Sequence, residues 1–528
     1  MATLPDANTN PWYVLMTLYG EQEGEEVDVE VFKENRNVWN TLIQQIGGTG
    51  CDRARVVITG LPSRDAWREQ YKIIGNKWAK VYEERNGSKF PESFDIRSLP
   101  CDLSQLNFRN FVMLNGYFMP KGAIFDGSTF AHGIKSQAGF WGGRLSLAEC
   151  VFGGDVDVQG SVFSDGVNCR SARIKGSLKL ADTKMLGDLI LGSVKISKSL
   201  MAERLEAECA VYCDKATIAK DADLSEVKFE SSAYFDDTVF AGRASFIRTT
   251  FSQDVRFVLT KFSLGGNFSS ATFNDDAVFR NTQFLGPADF PSAQFLGRAD
   301  FTEAVFESPP SKNVSTVRFE GAVFKKFTSF RHCKFLSDYP DFFGATLYDR
   351  TGFTAGDDYW PSARHERCQD AKDSCAIIRH AVAKQSLPED EHFFFRREMG
   401  FAAQIGGVWQ RLPYQGFGAG SDFGQSIWRP AVGLLALWAI GGLLYTVSYA
   451  WGAFDDGQQP REILFGFGLS FANIFKFLGL QRSYFDVDFT QSLNPWLQVM
   501  GGVQTVVGFL LLLLFFLGLG LRTRFRMR

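Results

Sequence analysis

Apolar positions between residues 152 and 306 recur at alternating gaps of six and five residues. One row takes every eleventh position from Phe152 to Phe306, and a second row follows six residues behind it. A small or branched residue stands two positions before most of these sites, as Ala233 does before Phe235. Residues i and i−2 of a strand share a face. The pattern therefore predicts stacked short strands that each direct one large and one small residue inward.

A helix is the competing interpretation, because an 11-residue period also suits a right-handed coiled coil. At about 100° per residue, however, a step of five or six residues places the two rows roughly 140–160° apart. Glycine-rich steps such as SLGGNF would also weaken a helix. In the most regular part of the β interpretation, the predicted inward-facing residues are Phe229, Phe235, Phe240, Phe246, Phe251, Phe257, Phe262, Phe268, Phe273, Phe279, Phe284, Phe290, Phe295, Phe301 and Phe306.

A large residue at every fifth position, with a small one two before it, resembles the F-x-x-x-A-x-F variant of the pentapeptide-repeat family. The segment ADFPSAQFLGRADFTEAVF carries this motif; the resemblance covers about residues 95–350, and the solenoid domain is expected over residues 95–355. It implies a mainly β fold, a right-handed quadrilateral β-helix with 22 residues per coil. A five-step run over Leu103, Phe108, Met113 and Phe118 is expected to start the solenoid. Isoleucine, methionine and alanine replace phenylalanine between positions 174 and 218, where we expect tighter or less regular packing.

The flanks of the repeat are not periodic. Residues 1–94 predict a small α/β cap with helices in VEVFKENRNVWNTLIQQI and DAWREQYKIIGNKWAKVYEERNG and a strand in RVVITG. The insert Glu307–Thr316 shifts the repeat register by two residues, and FRHCKFLSDYPDFFGATL ends the repeat. Residues 356–427 predict a helical linker, with two helices within 362–405 separated at Leu387–Pro388.

The last hundred residues predict a transmembrane domain over 428–528. Ala431–Trp451 and Trp496–Leu521 contain no charged residue over 21 and 26 positions, enough for two membrane-spanning helices. Arg429 precedes the first span and four arginines follow the second, which by the positive-inside rule places both ends in the cytoplasm. The first residues show no basic leader, so we expect a multi-pass protein of a cell inner membrane with cytoplasmic termini.

The loop between the spans contains an apolar, glycine-rich segment at 461–481 that predicts a re-entrant element. Two spans around such a segment resemble the pore module of potassium-type channels. The Thr-Val-Gly-Tyr-Gly filter is missing, so potassium selectivity is not implied. Interhelical hydrogen bonding by the glutamines and an interfacial hairpin with a snorkelling lysine remain the alternatives. The pore or re-entrant candidates are Asn473, Lys476, Phe477, Gly479, Gln498 and Gln504.

Composition narrows the functional classes. The net charge of −3 gives no reason to expect a nucleic-acid partner, and an odd number of scattered cysteines indicates free thiols. The GGTG segment lacks the Lys-Ser/Thr of a phosphate loop, and no catalytic motif is present. We therefore predict no enzyme and no cofactor. We also predict no metal site, because the spacing of His365, Cys368, Cys375 and His380 is not a standard zinc pattern.

Two functions follow as expectations. The first is a channel-like homo-oligomer in the lipid bilayer, with four copies around an axis by resemblance to two-span channels, ions as its cargo and a cytoplasmic solenoid that senses or scaffolds. The second is a membrane-anchored scaffold whose hairpin only anchors and oligomerises the solenoid. In both, an unknown protein partner binds the solenoid surface.

Overall fold

The computed structural model describes residues 4–23, 27–43, 67–92, 94, 100–309, 315–362, 367–450, 464–485 and 493–526. The chain divides into two compact units, Met1–Pro361 and Ser362–Arg528. The first unit contains a parallel β-solenoid of about 11 turns with four sheets, preceded by helices. The second unit is helical and ends in two long apolar helices. The predicted β-helix fold class is thereby confirmed.

Each coil of the solenoid contributes one short strand to each of four sides. The first side stacks Cys101–Asp102, Ala123–Ile124, Leu145–Ser146, Val167–Asn168, Leu189–Ile190, Val211–Tyr212, Ala233–Tyr234, Val255–Arg256, Ala277–Val278, Ala299–Asp300, Thr328–Phe330 and Gly352–Phe353. The second side stacks Asn107–Phe108, Thr129–Phe130, Val151–Phe152, Arg173–Ile174, Lys195–Ile196, Thr217–Ile218, Val239–Phe240, Lys261–Phe262, Gln283–Phe284, Val305–Phe306 and Lys334–Phe335.

The other two sides have the same parallel pairing. The third side stacks Val112–Met113, Ile134–Lys135, Val156–Asp157, Leu178–Lys179, Leu200–Met201, Ala222–Asp223, Ala244–Ser245, Gly266–Asn267, Ala288–Asp289 and Val317–Arg318. The fourth side stacks Phe118–Met119, Phe140–Trp141, Val162–Phe163, Lys184–Met185, Glu206–Ala207, Lys228–Phe229, Thr250–Phe251, Thr272–Phe273, Gln294–Phe295 and Val323–Phe324.

The six-plus-five alternation has a backbone cause. A residue with positive φ recurs every eleven positions from Gln105 to Glu303, at alternate corners of the coil. There a tight turn is closed by a backbone hydrogen bond, such as Thr238 N–H to the Phe235 carbonyl at 3.2 Å. Turns with positive φ at their third residue are typical of type II geometry. The step between inward-facing residues is five across such a turn, as from Phe235 to Phe240. It is six across the next corner, as from Phe240 to Phe246.

The interior of the solenoid consists of columns of stacked side chains. Partners in adjacent coils are 22 residues apart, and the ring centroids of Phe240 and Phe262 lie 5.1 Å apart at an interplanar angle of 3°. All the inward-facing phenylalanines proposed between 229 and 306 are buried. The same 22-residue pairing continues through the segment 174–218, where leucine, isoleucine, methionine and alanine fill the interior. The less regular packing expected there does not affect the strand register.

Two details of the predicted repeat are wrong. The alternation of five and six extends back to Leu103, so Leu114 and Met119 face the interior in place of Met113 and Phe118. A strict five-residue step fails because only alternate corners contain the tight turn. Phe118 is nevertheless buried, because the N-terminal helices cover it.

The insert near residue 310 is also larger than the predicted register shift of two residues. Ala288 pairs with Val317, a step of 29 residues instead of 22. The coil therefore contains seven extra residues, and residues 310–314 of this insert lie outside the described part of the chain.

The N-terminal segment forms helices that close the first coil. They are a 3-10 turn (Ala7–Thr9), α1 (Pro11–Met16), α2 (Val29–Ile43) and α3 (Trp67–Asn86). Trp39 donates its Nε1–H to the Phe118 carbonyl at 2.9 Å, and the ring of Tyr13 packs edge-on against Phe108. These contacts cover the open end of the apolar interior, as solenoids require. The predicted strand RVVITG lies outside the described residues.

The other end of the solenoid is closed by an aromatic residue. Trp360 is almost fully buried, and its ring stacks on Phe335 with centroids 4.8 Å apart. Its Nε1–H donates to the Thr354 carbonyl at 2.9 Å. Trp360 therefore covers the apolar interior at the last coil.

The helical unit contains α4 (Cys368–Ala383), α5 (Pro388–Ala402), α6 (Val408–Ser421), α7 (Trp428–Ala450), α8 (Leu464–Ile474), a 3-10 turn (Lys476–Leu478), α9 (Leu480–Tyr484) and α10 (Pro495–Arg526). Helices α4 and α5 match the two helices expected in the linker. Arg379 of α4 and Glu398 of α5 form a salt bridge at 2.8 Å that joins the pair. Helix α6 was not predicted, because Pro413 and three glycines lower its helix propensity.

Candidate functional site

Helices α7 and α10 each contain a stretch that is long and apolar enough to cross a membrane, Trp428–Ser448 and Pro495–Gly520. Length and composition alone give this result. Their side chains are mostly exposed: Leu435 is 63% exposed and Val503 is 57% exposed. The core helix of a water-soluble domain would bury such residues, because large exposed apolar surfaces are unfavourable in water.

Helix α8 runs back along α7 at very close range. A Cβ atom added to Gly466 would clash with Thr446 Oγ1 and lie 2.8 Å from the Gly442 carbonyl oxygen. Small residues at helix contacts permit this approach. Trp438 donates its Nε1–H to the Phe467 carbonyl at 3.0 Å, and Ser470 Oγ donates to the Trp438 carbonyl at 2.8 Å. Helix α8 is therefore fixed to α7 by packing and by hydrogen bonds.

A buried polar network links α8 to α7 and α10. Asn473 is almost fully buried; its Nδ2 donates to Tyr445 OH at 2.9 Å, and its Oδ1 accepts from Gln481 Nε2 at 3.0 Å. Gln504 is equally buried, and its Nε2 donates to Ser470 Oγ and to the Leu437 carbonyl. These amides therefore connect helices within one chain, the role that buried amides commonly have between apolar helices.

The segment after α8 turns back inside the bundle. The chain makes one 3-10 turn over Lys476–Leu478, then reverses at Gly479, whose φ is +79°. The ring of Phe477 contacts Phe509 near the middle of α10, with centroids 5.6 Å apart. Phe485 meets Phe465 at 5.4 Å, so the segment returns to the level at which it began. Residues 464–485 therefore form a helical hairpin whose tip lies beside the middle of α10.

The tip is the exposed part of the hairpin. Lys476 is exposed, and half of Phe477 and 63% of Leu478 are open. In the described part of the chain Lys476 forms no salt bridge. Gln498 lies elsewhere, at the start of α10, and donates to the Leu493 carbonyl at 2.9 Å. The six candidates therefore form three groups. Lys476, Phe477 and Gly479 are at the tip, Asn473 and Gln504 each join helices, and Gln498 is at a helix end.

Comparison with known families concerns the solenoid. Residues 214–261 and 264–309 match the family model described as pentapeptide repeats, with nine copies. The solenoid of this chain is a pentapeptide-repeat domain. The matched residues belong to the most phenylalanine-rich part of the pentapeptide-repeat solenoid, where the ring columns stack without interruption. No curated protein and no solved structure matches the chain. None of these comparisons supports the resemblance of the C-terminal hairpin to channels.

The sequence missed several residues outside the pentapeptide-repeat solenoid that build the hairpin. Tyr445, Ser470 and Thr505 each hydrogen-bond across helices, Thr505 through its Oγ1 to the Asn473 carbonyl at 2.8 Å. In the sequence, these three residues are marked only by being polar within an otherwise apolar stretch. Among the described residues, no group of three or more His, Cys, Asp and Glu side chains is placed to hold a metal ion. His365 of the earlier candidate cluster lies outside them.

Proposed function

We propose that the chain is an oligomeric, channel-like membrane protein whose pentapeptide-repeat solenoid lies in the cytoplasm as a sensing or scaffolding domain. The observation that carries this proposal is the re-entrant tip. Backbone that leaves the helical pattern at membrane depth is stable only if protein covers it or water fills the space beside it. In a single chain, the turn at Lys476–Gly479 is left open.

A second copy or a hydrated path is needed beside this tip. Lys476 at half the depth of an apolar helix would be costly in hydrocarbon, roughly 2.5–3.5 kcal/mol on insertion scales. Copies arranged around an axis would turn the tips toward each other and enclose water, which removes this cost. A lysine facing such an opening would disfavour cations.

The orientation follows from arginine placement. Arg429 stands at the beginning of α7, and α10 ends among arginines at positions 522, 524, 526 and 528. The loop between the two helices contains five acidic and three basic residues. The positive-inside rule then assigns both ends, and the large domain attached to α7, to the cytoplasm of an inner-membrane protein.

Single-channel recording in planar bilayers tests the proposal. We expect conductance from the purified full-length oligomer and a shift of its reversal potential toward cations in Lys476→Glu. The matched control is Lys326→Glu, which reverses an exposed lysine of the solenoid. A folded oligomer with no conductance under several salts and voltages would contradict the pore, as would an equal shift in both variants.

A membrane-anchored scaffold is the second candidate, and one observation favours it. Asn473 and Gln504 use their amides between helices of one chain, as a simple anchoring hairpin would. Under this alternative, replacing residues 428–528 by an unrelated two-helix anchor would leave the cellular function intact. Loss of function after that exchange would favour the channel-like protein.

A further inference from the structure

A strip of basic side chains follows one corner of the solenoid, between its second and third sides. Arg173 and Lys195 are directly opposite in adjacent coils, and both are exposed. Like charges placed opposite each other destabilise a sheet. At the corner itself, Lys198 and Lys220 also occupy consecutive coils and are exposed. The fold therefore tolerates a concentration of positive charge that its own packing does not require.

A groove of about 420 Å³ opens at this corner, toward the N-terminal end of the strip. His132, Lys135, Lys179 and Lys198 contribute cationic or polar side chains to its walls. Glycines at 133, 153 and 154 form part of its lining and leave the backbone uncovered by side chains. The volume is within the range of small-molecule sites, roughly 300–1,000 Å³.

The acidic residues of the groove are already engaged. Asp155 accepts a hydrogen bond from Lys179 at 2.7 Å and from the Ser177 N–H at 2.8 Å. Partial burial alone would raise the pKa of Asp155, but these hydrogen bonds and the nearby lysine charges hold it below its usual value. Asp157 is nearly buried and accepts from Gln137 at 2.9 Å. Among the described residues, neither carboxylate forms a salt bridge with Lys135 or Lys198.

Lys135 and Lys198 differ from many basic residues elsewhere on the solenoid. Arg204 pairs with Asp182, and Lys228 pairs with Glu206, each exactly one coil away in sequence register. Among the described residues, Lys135 and Lys198 form no salt bridge. Both lysines therefore face the same groove outside any described salt bridge, with Asp157 opposite Lys135 in the adjacent coil and Asp155 within electrostatic reach of Lys198.

We infer that this groove binds a small anion that carries two or more phosphate groups. Lys135 belongs to the strand Ile134–Lys135, and Lys198 precedes the strand Leu200–Met201 three coils further on, a separation of about 14 Å at the usual strand spacing. Lysine binds phosphate as a point charge, and several lysines along a groove suit charges distributed over a short chain of phosphates. The concave, glycine-lined surface fits a compact ligand better than a flat lipid surface.

This inference does not depend on the pore, because every residue involved belongs to the solenoid. Calorimetric titration of the purified full-length protein with inorganic triphosphate tests it directly. We expect saturable binding, weakened about tenfold or more in the double variant Lys135→Gln/Lys198→Gln, since both removed charges would contact the phosphate groups. The matched control is Lys326→Gln/Lys334→Gln, which removes two exposed charges elsewhere on the solenoid.

Three results would overturn the inference. They are the absence of triphosphate binding by the unmodified protein, an equal loss of affinity in both double variants, and unchanged affinity in Lys135→Gln/Lys198→Gln. Competition supplies a further check: an acidic peptide or phosphatidylserine vesicles that displace triphosphate at far lower concentration would assign the strip to a protein or a membrane instead. Circular dichroism of each variant confirms that the solenoid is folded before affinities are compared.

Discussion

The solenoid and the C-terminal helical unit distribute apolar and polar groups in opposite ways. In the solenoid, Phe268 and its neighbours are fully buried, and charged side chains such as Lys198 and Lys220 are exposed. In the helical unit, apolar residues such as Leu435 and Val503 are exposed, while Asn473 and Gln504 are buried. The first region buries its apolar side chains within one chain. The second leaves that surface for lipid or for further copies, which is the physical basis for treating it as a membrane domain.

The largest expected effect is in the solenoid interior. Phe268→Ala should lower the free energy of unfolding by about 4 kcal/mol, because the lost ring leaves a cavity. That ring stacks on Phe246 and Phe290 at 4.8 and 4.9 Å and meets Phe257 edge-on. Chemical denaturation followed by circular dichroism measures the change.

Phe268→Leu is the control for this substitution and should restore much of the stability, since it refills most of the cavity. A loss below about 1 kcal/mol for the alanine variant would show that the columns do not support the fold.

Substitution of two similarly exposed apolar residues compares a surface expected to face lipid with one expected to face water. Val503 is 57% exposed on α10, and Leu259 is 59% exposed on the solenoid. Val503→Arg should disfavour membrane insertion by about 3 kcal/mol, because a charge near the centre of a span is costly. Leu259→Arg should change the free energy of unfolding by no more than about 0.5 kcal/mol. Membrane fractionation and a translocon insertion assay measure the first effect, and chemical denaturation measures the second.

If Val503→Arg inserts as well as the parent chain, this face of α10 does not contact lipid. Val503→Leu, which keeps the position apolar, is expected to insert normally and serves as the control.

A smaller effect is expected inside the helical unit. Asn473→Leu removes the hydrogen bonds to Tyr445 and Gln481. Interhelical hydrogen bonds in membranes contribute about 0.6 kcal/mol on average and at most about 1.7. We therefore expect a modest loss of thermal stability in detergent, with the expression level preserved. Collapse of the protein on this change would indicate a role beyond the hydrogen bonds described.

The smallest effect concerns the backbone of the solenoid. Ala138 has a φ of +49° and lies between Gly116 and Gly160, which occupy the same corner of the adjacent coils. Left-handed backbone costs a residue with a side chain roughly 1–2 kcal/mol, whereas glycine adds entropy to the unfolded chain. Ala138→Gly should therefore stabilise the solenoid by about 0.5 kcal/mol. A measured destabilisation would contradict strain at this corner.

How far the sequence predicts the molecule differs between the two regions. The periodic rows place Phe229 and its successors because one rule repeats, and side-chain direction on a strand alternates. The prediction of Met113 as an inward-facing residue is wrong because it uses a strict five-residue step, whereas the alternation of six and five extends back to Leu103 and places Leu114 inside.

In the helical unit, the apolar runs predict α7 and α10 by length and composition alone. Which helix faces Asn473 or Gln504 is not encoded locally, because their partners are tens of residues away in the sequence. Helix α6 illustrates the same limit: its glycines and Pro413 argue against a helix, yet packing and local hydrogen bonds determine the outcome.

The symmetry of the full-length particle in lipid nanodiscs, determined by electron microscopy, tests the central proposal most directly. The channel-like account predicts an axis of three-fold or higher symmetry through the C-terminal hairpins, with the Lys476–Gly479 tips turned toward it. A monomer, or a two-fold dimer joined only through the solenoids, would contradict the channel-like account and favour an anchored scaffold.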